Sequence, residues 1–221
     1  MQTHDMLQPV AEATLRRLPS YFRYLREVAA EGQAMVSCTQ IAERFGQDPT
    51  QVRKDLQATG GVGKPRTGFE VKSLQRSIAD YLGWNNTRDA FLVGAGNLGA
   101  ALLGYEGFEP SGLNILAVFD SDPAKIGTRL GGKPVMDIAR FGPLVRRMHV
   151  LIGILAVPAR AAQEVADLML ASGIRGLWNF SPRKLKMPPE VVIENADLTP
   201  SLALLSAKLR QRLEQEERDA L

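Results

Sequence analysis

Apolar residues recur every three or four positions between residues 10 and 30, and this spacing predicts one face of a helix. Pro19 interrupts the series, and proline lacks the amide hydrogen that a helix interior uses. We therefore expect a kink in this helix, or a restart, at Pro19. The apolar positions that define the face are Leu15, Leu18, Phe22, Leu25 and Val28.

Two shorter helices are predicted immediately downstream. Ser37 and, three places on, Gln40 form a capping box at the start of the first. Asp48 followed by Pro49 is a start signal for the second, over 49–56. Two short helices separated by a tight turn predict a helix-turn-helix motif.

A glycine-rich segment over 58–69 follows, with Lys64, Pro65 and Arg66 at its centre. The apolar residues on either side can pair as a small hairpin, which is the form of a DNA-binding wing. A further helix is predicted over 71–82.

Beyond a polar linker at 85–87 the pattern changes to short apolar runs separated by helical stretches. Such runs are typical of parallel strands covered on both faces by helices. The sequence therefore predicts an α/β chain, with a winged helix-turn-helix domain over 1–84 and a Rossmann-type doubly wound parallel sheet over 88–198. The apolar runs span 90–93, 115–119, 150–157, 176–180 and 191–193.

A last helix is predicted over 199–221, opened by the pair Thr199-Pro200. One apolar stripe runs along it, and no later segment exists in this sequence to cover that stripe. The helix either packs on its own sheet or crosses to a second subunit, and the pattern alone favours neither. The stripe consists of Leu202, Leu205, Leu209 and Leu213.

Composition limits the class of protein. With 45% hydrophobic and 23% charged residues in 221, the chain is expected to fold, and no signal sequence or membrane-spanning run is evident. We expect a soluble, cytoplasmic protein. A single cysteine, Cys38, permits neither an internal disulfide nor a cysteine-ligated metal cluster, and we expect it to be a buried helix residue rather than a redox thiol.

The net charge of +3 comes entirely from the first part of the chain. Residues 1–88 hold 12 Lys and Arg against 9 Asp and Glu, whereas residues 89–221 hold 15 of each kind. A modest basic excess is usual on solvated surfaces, so it favours a polyanionic partner only slightly.

A glycine motif lies between the first apolar run and the helix after it, in the sequence FLVGAGNLG. In dinucleotide-binding folds the first glycine turns sharply, the second lets the pyrophosphate approach the backbone, and the third lets helix and strand touch. Amides at the helix start receive the phosphates. The predicted cofactor-binding loop consists of Gly94, Ala95, Gly96, Asn97, Leu98 and Gly99.

Asp120 lies at the end of the second apolar run, 21 residues after Gly99. This is close to the spacing of the acidic residue that accepts hydrogen bonds from the adenine ribose in NAD-binding folds. Its charge would repel a 2′-phosphate, so NADH or NAD⁺ is the expected ligand. The other interpretation is that Asp120 is a solvated aspartate in the turn FDSDP. In that turn Asp122, before Pro123, is expected to be a helix cap.

Few residues are placed to catalyse hydride transfer. His4 lies near the start of the chain, and His149 opens a buried run at the wrong end of the sheet. Tyr105 and Lys125 can act as acids or bases, but no Tyr-x-x-x-Lys motif supports them. We therefore expect that the protein is not an enzyme. The alternative is a small NAD-dependent oxidoreductase with an N-terminal assembly domain.

The second helix of the helix-turn-helix carries Gln51, Arg53 and Lys54, whose donors suit base edges and phosphates. Such a trio alone is more typical of a solvated helix face. The tight turn and the basic wing, with Lys64 and Arg66, favour double-stranded DNA as the partner.

Together these segments resemble the Rex family of redox-sensing transcriptional repressors, in order along nearly the whole chain. QVRKDL beside a winged helix, in a chain that also carries GAGNLG, is highly specific. The matching segments are RLPSYFRYL (17–25), QVRKDL (51–56), GAGNLG with Ala101-Leu102, Tyr105-x-Gly107-Phe108, VFDSDPAKIG (118–127), AVP (156–158), GIRGLWNFSP (173–182) and ENADLT (194–199).

The resemblance implies a homodimer whose winged helix binds operator DNA and whose C-terminal helix is swapped between subunits. It implies that NADH releases the repressor from DNA whereas NAD⁺ permits binding. It places Tyr105 near the nicotinamide, adds Val157 and Pro158 to the cofactor site, and makes Arg23 and Asp197 the residues that couple the DNA-binding domain to the partner's ligand domain.

The sequence departs from the family pattern in two places that concern DNA. The aromatic pair that usually follows QVRKDL is replaced by Ala58-Thr59, and the usual Arg-Gly of the wing is Pro65-Arg66. Wing geometry and operator preference are therefore left open by the resemblance.

Overall fold

The computed structural model describes residues 11–65, 67–84, 89–197 and 199–219. The described residues form two compact units: those up to 84 together with 107–113, and 89–106 together with those from 114 onward. Within the described residues, no helix is both long enough and apolar enough to cross a bilayer.

The first unit is a helix-turn-helix with a small antiparallel strand pair. Met35 and Val36 pair with Glu70 and Phe69, which joins the segment before the second helix to the segment before the fourth. Its helices are α1 (Glu12–Ala30), α2 (Cys38–Phe45), α3 (Pro49–Ala58) and α4 (Val71–Tyr81), and its strands are β1 (Met35–Val36) and β2 (Phe69–Glu70).

The first helix runs without a break from Glu12 to Ala30 with Pro19 inside it, so the predicted restart is wrong. Leu18, Tyr21 and Leu25 are buried on both sides of the proline. Their packing outweighs the single backbone hydrogen bond that proline cannot make. Cys38 is buried in the same core, as expected of a structural cysteine.

Side-chain caps fix the ends of the helix-turn-helix. Ser37 Oγ accepts from the Gln40 amide at 3.1 Å while Gln40 Oε1 accepts from the Ser37 amide at 2.8 Å, which confirms the capping box. Gly46 ends α2 with φ of 61°, a left-handed conformation that glycine adopts without a Cβ penalty. Asp48 Oδ1 then accepts from the Thr50 amide at 2.7 Å and starts α3.

The second unit is a seven-stranded sheet in the order β5-β6-β4-β3-β7-β8-β9, and every neighbouring pair except β5-β6 is parallel. This is the Rossmann order, which reverses between β3 and β7. Its strands are β3 (Asp89–Val93), β4 (Asn114–Asp120), β5 (Arg129–Leu130), β6 (Lys133–Asp137), β7 (Ile152–Leu155), β8 (Gly176–Asn179) and β9 (Val192–Asn195).

Helices cover both faces of this sheet, and the fold confirms the predicted α/β class. The core contains a cluster of three aromatic rings, from Phe91 on β3, Phe119 on β4 and Phe141 at the start of the helix that follows β6, with centroids 5.1 to 5.8 Å apart. The helices of this unit are α5 (Asn97–Leu103), α6 (Phe141–Met148), α7 (Ala159–Ser172) and α8 (Thr199–Asp219).

Two features of the sheet differ from the prediction. The run 150–157 is a strand only over Ile152–Leu155, and residues 156–158 form a loop. Strands β5 and β6 were not predicted, because Val135 is the only buried residue in the sequence KPVMD.

The last helix, α8, buries none of its described side chains, and its leucines at 202, 204, 205, 209 and 213 are 50 to 63% exposed.

Candidate functional site

The glycine loop lies at the point where the strand order of the sheet reverses. It leaves the end of β3, between β4 and β7, and is tied to both neighbours. The Gly94 amide donates to Phe119 O at 2.8 Å, and the Ala156 amide donates to Val93 O at 2.9 Å. In open α/β sheets ligands bind at this reversal, outside the carboxyl ends of the strands.

The three glycines of the loop have different surroundings, which decide whether a side chain would fit at each position. Gly94 has a φ of 113°, and a Cβ added there would overlap the Ala156 carbonyl. A Cβ at Gly99 would overlap the Gly94 carbonyl, so this glycine lets α5 close onto the strand. A Cβ at Gly96 would meet no atom within 4 Å. Gly96 is therefore open toward the space above the loop rather than packed against the fold.

That space is a cavity of about 650 Å³, within the size range of cofactor sites. Of the predicted cofactor residues, seven line it: Gly94, Gly96, Asn97, Leu98, Asp120, Val157 and Pro158. The residues that sequence analysis did not place there are Val93, Ser121, Asp122, Lys125, Ile138, Ala156, Arg160, Ala161, Val165, Phe180 and Pro182.

Three predicted residues do not line this cavity. The Ala95 amide donates to Asp120 Oδ2 at 2.8 Å, so it holds the aspartate in place. Gly99 lies behind the loop, against Gly94. Tyr105 follows the end of α5 and is 56% exposed.

Asp120 is held by its own backbone and by a lysine. Its Oδ1 accepts from the Asp122 amide at 2.9 Å, and its Oδ2 accepts from Lys125 Nζ at 3.2 Å as well as from Ala95. Burial raises the pKa of this carboxyl. The backbone amides and the Lys125 ammonium lower it by a larger amount, so the net pKa lies below the ordinary value. The carboxyl is therefore a fixed, ionised group at the cavity wall.

Helix α3, the second or recognition helix of the helix-turn-helix, presents two cations to solvent. Arg53 and Lys54 are exposed on α3, whereas Gln51 is half-buried and donates to Asp55 Oδ1 at 2.9 Å. A groove of about 670 Å³ lies beside α3 in the first unit. Its wall includes Arg53, the exposed wing residue Lys64 and the start of α2.

The wing segment folds back on itself through one isolated bridge between Lys64 and Gly68. The Lys64 amide donates to Gly68 O at 2.7 Å, and β2 begins at the next residue. Arg66, a predicted DNA contact, lies outside the described residues.

Asp55 forms a buried polar cluster with residues of α1, and sequence analysis missed it. The aspartate is 1% exposed, and both its oxygens accept from the Arg17 guanidinium, at 2.6 and 2.7 Å. Thr14 donates to Oδ1 at 3.0 Å, and the Tyr21 hydroxyl lies 3.2 Å from Oδ2. The available signal was an aspartate beside two cations in QVRKDL, but the partner of that aspartate lies 38 residues away.

The two predicted coupling residues are both exposed. Arg23 lies on the solvent side of α1. Asp197 precedes α8, and its carboxylate accepts from the Thr199 amide at 2.8 Å, which lowers its pKa. The aspartate therefore caps the last helix while one side stays open to solvent.

Known proteins match this chain along almost its full length. Two family models match, "Putative DNA-binding protein N-terminus" over residues 9–57 and "CoA binding domain" over residues 85–183. The redox-sensing transcriptional repressor Rex of Treponema denticola is 41% identical over 202 residues, which cover 91% of this chain and 96% of that protein. The chain belongs to the Rex family.

Solved structures of a Rex-family repressor named RSP have the same fold. RSP in complex with β-NAD⁺ and operator DNA matches with a TM-score of 0.85 and 35% identity, covering 96% of this chain and 98% of that one. RSP in complex with β-NADH matches with a TM-score of 0.84 and 35% identity, covering 95% and 99%. Rex relatives are named as transcriptional repressors, and the oxidoreductase alternative is set aside.

Proposed function

We propose that this protein is a cytoplasmic, homodimeric repressor that binds operator DNA and is released from it by NADH. The observation that carries the proposal is one chain with both sites: a glycine loop with a fixed carboxylate at the strand-order reversal, and a recognition helix with exposed cations. The RSP structures, one with β-NAD⁺ and operator DNA and one with β-NADH, support the same pairing of ligands.

The cavity favours the reduced cofactor on electrostatic grounds. Oxidised nicotinamide carries a positive charge and reduced nicotinamide does not. Part of the cavity wall is apolar, with Ile138, Val157, Val165 and Phe180 among its residues. Enclosing a charge among such groups incurs a desolvation penalty, which falls on NAD⁺ alone. NADH is therefore expected to bind more tightly.

DNA contact is assigned to Arg53 and Lys54 of α3 and to Lys64 and Arg66 of the wing. Arg53 and Lys64 share one groove, so a phosphate backbone lying in it meets both charges. Gln51 is engaged with Asp55 and contributes to base recognition only if that hydrogen bond opens.

The last helix is assigned to the dimer. The four exposed leucines of the α8 stripe, Leu202, Leu205, Leu209 and Leu213, make an apolar surface that a second copy of this helix or of the sheet unit can cover. Arg23 and the partner subunit's Asp197 are the proposed coupling pair, and Tyr105 is the proposed neighbour of the nicotinamide; these roles rest on the family resemblance.

Linkage provides the experiment. If NADH weakens DNA binding, operator DNA must weaken NADH binding by the same factor, which for ordinary coupling corresponds to about 1–3 kcal/mol, or roughly 5- to 150-fold. Titration calorimetry of NADH with and without saturating operator DNA measures this factor. An NADH affinity that operator DNA leaves unchanged would contradict the proposed switch.

A further inference from the structure

Asp120 has little capacity left for a ribose. Its Oδ2 already accepts two hydrogen bonds, from the Ala95 amide and from Lys125 Nζ, and its Oδ1 accepts one, from the Asp122 amide. Because each carboxylate oxygen offers two lone pairs, one good acceptor position remains. Asp120 alone therefore cannot accept from both hydroxyls of the adenine ribose.

Lys125 stands where it can share that task. Its ammonium lies 3.2 Å from Asp120 Oδ2 and 3.8 Å from Asp122 Oδ2, and the side chain lines the same cavity. An ammonium has three donor hydrogens, so a ribose oxygen or a phosphate oxygen can accept from it while the contact with Asp120 persists. At 40% exposure the side chain can also adjust its position.

The lysine changes the electrostatics of ligand selection. A bare aspartate at this position repels a 2′-phosphate, and this repulsion is the usual basis for excluding NADP(H). Here a positive charge lies within hydrogen-bonding distance of the aspartate and offsets part of its field. A 2′-phosphate beside Asp120 would therefore also be attracted by the Lys125 ammonium.

We propose that Lys125 is a specificity-determining residue that weakens the discrimination of this site against 2′-phosphorylated dinucleotides. The inference rests on the proposed function, since it assumes that the cavity binds NADH. The selectivity of the site, expressed as the ratio of the Kd of NADPH to the Kd of NADH, is then set by the Asp120–Lys125 pair rather than by Asp120 alone.

The test is calorimetric titration of the full-length protein with NADH and with NADPH at low and high salt. Lys125→Met is expected to raise the Kd ratio about fivefold, the factor for an exposed ion pair worth about 1 kcal/mol. Lys125→Arg keeps the charge and should keep the ratio near that of the wild type. Lys72→Met, an exposed lysine in the other unit, is the matched control and should not change the ratio.

A second variant tests the pair from the other side. Asp120→Asn removes the repulsion of the 2′-phosphate and should lower the ratio of the Kd of NADPH to that of NADH. Adding Lys125→Met should raise this ratio most of the way back. The effect of Lys125 should shrink at high salt, because exposed charges are screened.

The outcomes separate two failures. If the wild type binds NADH but Lys125→Met leaves the ratio unchanged, the inference about Lys125 is wrong and the proposed function stands. If the wild type does not bind NADH, the proposed function itself is overturned, together with this inference.

Discussion

Arg17 on α1 places two guanidinium nitrogens 2.6 and 2.7 Å from the two carboxylate oxygens of Asp55 on the recognition helix. Asp55 is almost fully buried, and the Arg17 side chain is 23% exposed. A bidentate pair of this kind has a defined geometry, so it fixes the position of α3 relative to α1 as well as neutralising the buried charge. The recognition helix is thus positioned by an electrostatic contact on the side opposite its exposed cations.

Arg17→Met should destabilise the first unit by about 3 kcal/mol, because it leaves a buried carboxylate without its charge partner. Hydrogen exchange of the core amides in α1 and α3 measures the change within this unit. The control is Arg44→Met, whose ion pair with Glu27 at 3.6 Å is half exposed and should contribute less than about 1 kcal/mol. Equal effects of the two substitutions would show that the Arg17–Asp55 pair adds nothing beyond a surface contact.

The same cluster predicts a loss of stability in acid. Burial raises the pKa of Asp55. Hydrogen bonds from Arg17, Gln51 and Thr14 lower it by a larger amount, so the net pKa is below the ordinary 3.8. The contribution of a lowered carboxyl pKa is complete above the unfolded value and disappears as the pH falls through the folded value. Stability of the first unit should therefore fall below about pH 4, and Asp55→Asn should flatten this acid limb.

Tyr21 predicts the complementary loss in alkali. Burial, followed by the charge of Asp55, raises the pKa of the Tyr21 hydroxyl from 10.0 to about 12. Because the folded pKa is the higher one, its contribution is complete below pH 10 and disappears as the pH rises through about 12. Tyr21→Phe should reduce the alkaline dependence in pH titrations of stability, and an unchanged alkaline limb in that variant would contradict the role given to Tyr21.

Substitutions in the glycine loop should separate ligand binding from folding. Gly96→Val extends into the open cavity, so it should abolish NADH binding while the melting temperature changes little. Gly94→Val should instead lower the melting temperature, because its φ of 113° and the Ala156 carbonyl exclude a Cβ. Calorimetry and thermal melts of both variants provide the comparison. Tight NADH binding by Gly96→Val would rule out the glycine loop as the site.

Removing single cations from the DNA surface should weaken operator binding without altering NADH affinity. For Lys54→Ala and for Lys64→Ala, the slope of log affinity against log salt should fall in magnitude by about 1.8, because the substitution removes one phosphate contact from each subunit of the dimer, at about 0.9 per phosphate. Lys72→Ala, exposed on α4, is the control and should keep the wild-type slope. Gel-shift titrations at several salt concentrations give the slopes. If both variants keep the wild-type slope, the winged-helix interface is misassigned.

Charge introduced into the leucine stripe of α8 should dissociate the proposed dimer. Leu205→Glu and Leu209→Glu each place a carboxylate on the apolar surface, whereas Gln211→Glu adds the same charge away from the stripe. Sedimentation velocity should show monomers for the first two variants and a dimer for the third. A wild-type monomer at micromolar concentration would contradict the role given to this helix.

The features that sequence predicted well are those fixed by neighbouring residues. The capping box of Ser37 and Gln40 and the cap at Asp48 depend on contacts two or three residues apart. The central strands β3, β4 and β7 were predictable because each is a largely continuous run of buried apolar residues. Strand β6 was not predicted from the sequence, because only one of its five side chains is buried and one of the five is a proline. It is a strand through its parallel pairing with β4.

The features that sequence missed depend on distant pairing. Arg17 and Asp55 are 38 residues apart, and each alone looks like a solvated helix residue. Gln51 was predicted to face DNA, and only the structure reveals that its side chain is bonded within its own helix. Lys125 is five residues from Asp120, but its effect on ligand selection becomes apparent only from the hydrogen bonds that already occupy the carboxylate.

The most direct test of the redox switch is fluorescence anisotropy of labelled operator DNA, selected by the purified protein from a random-sequence pool, at fixed salt. The protein–DNA complex is titrated first with NADH and then, separately, with NAD⁺. NADH is expected to release the DNA at concentrations where NAD⁺ has no effect. Anisotropy that responds to neither nucleotide, or equally to both, would contradict it.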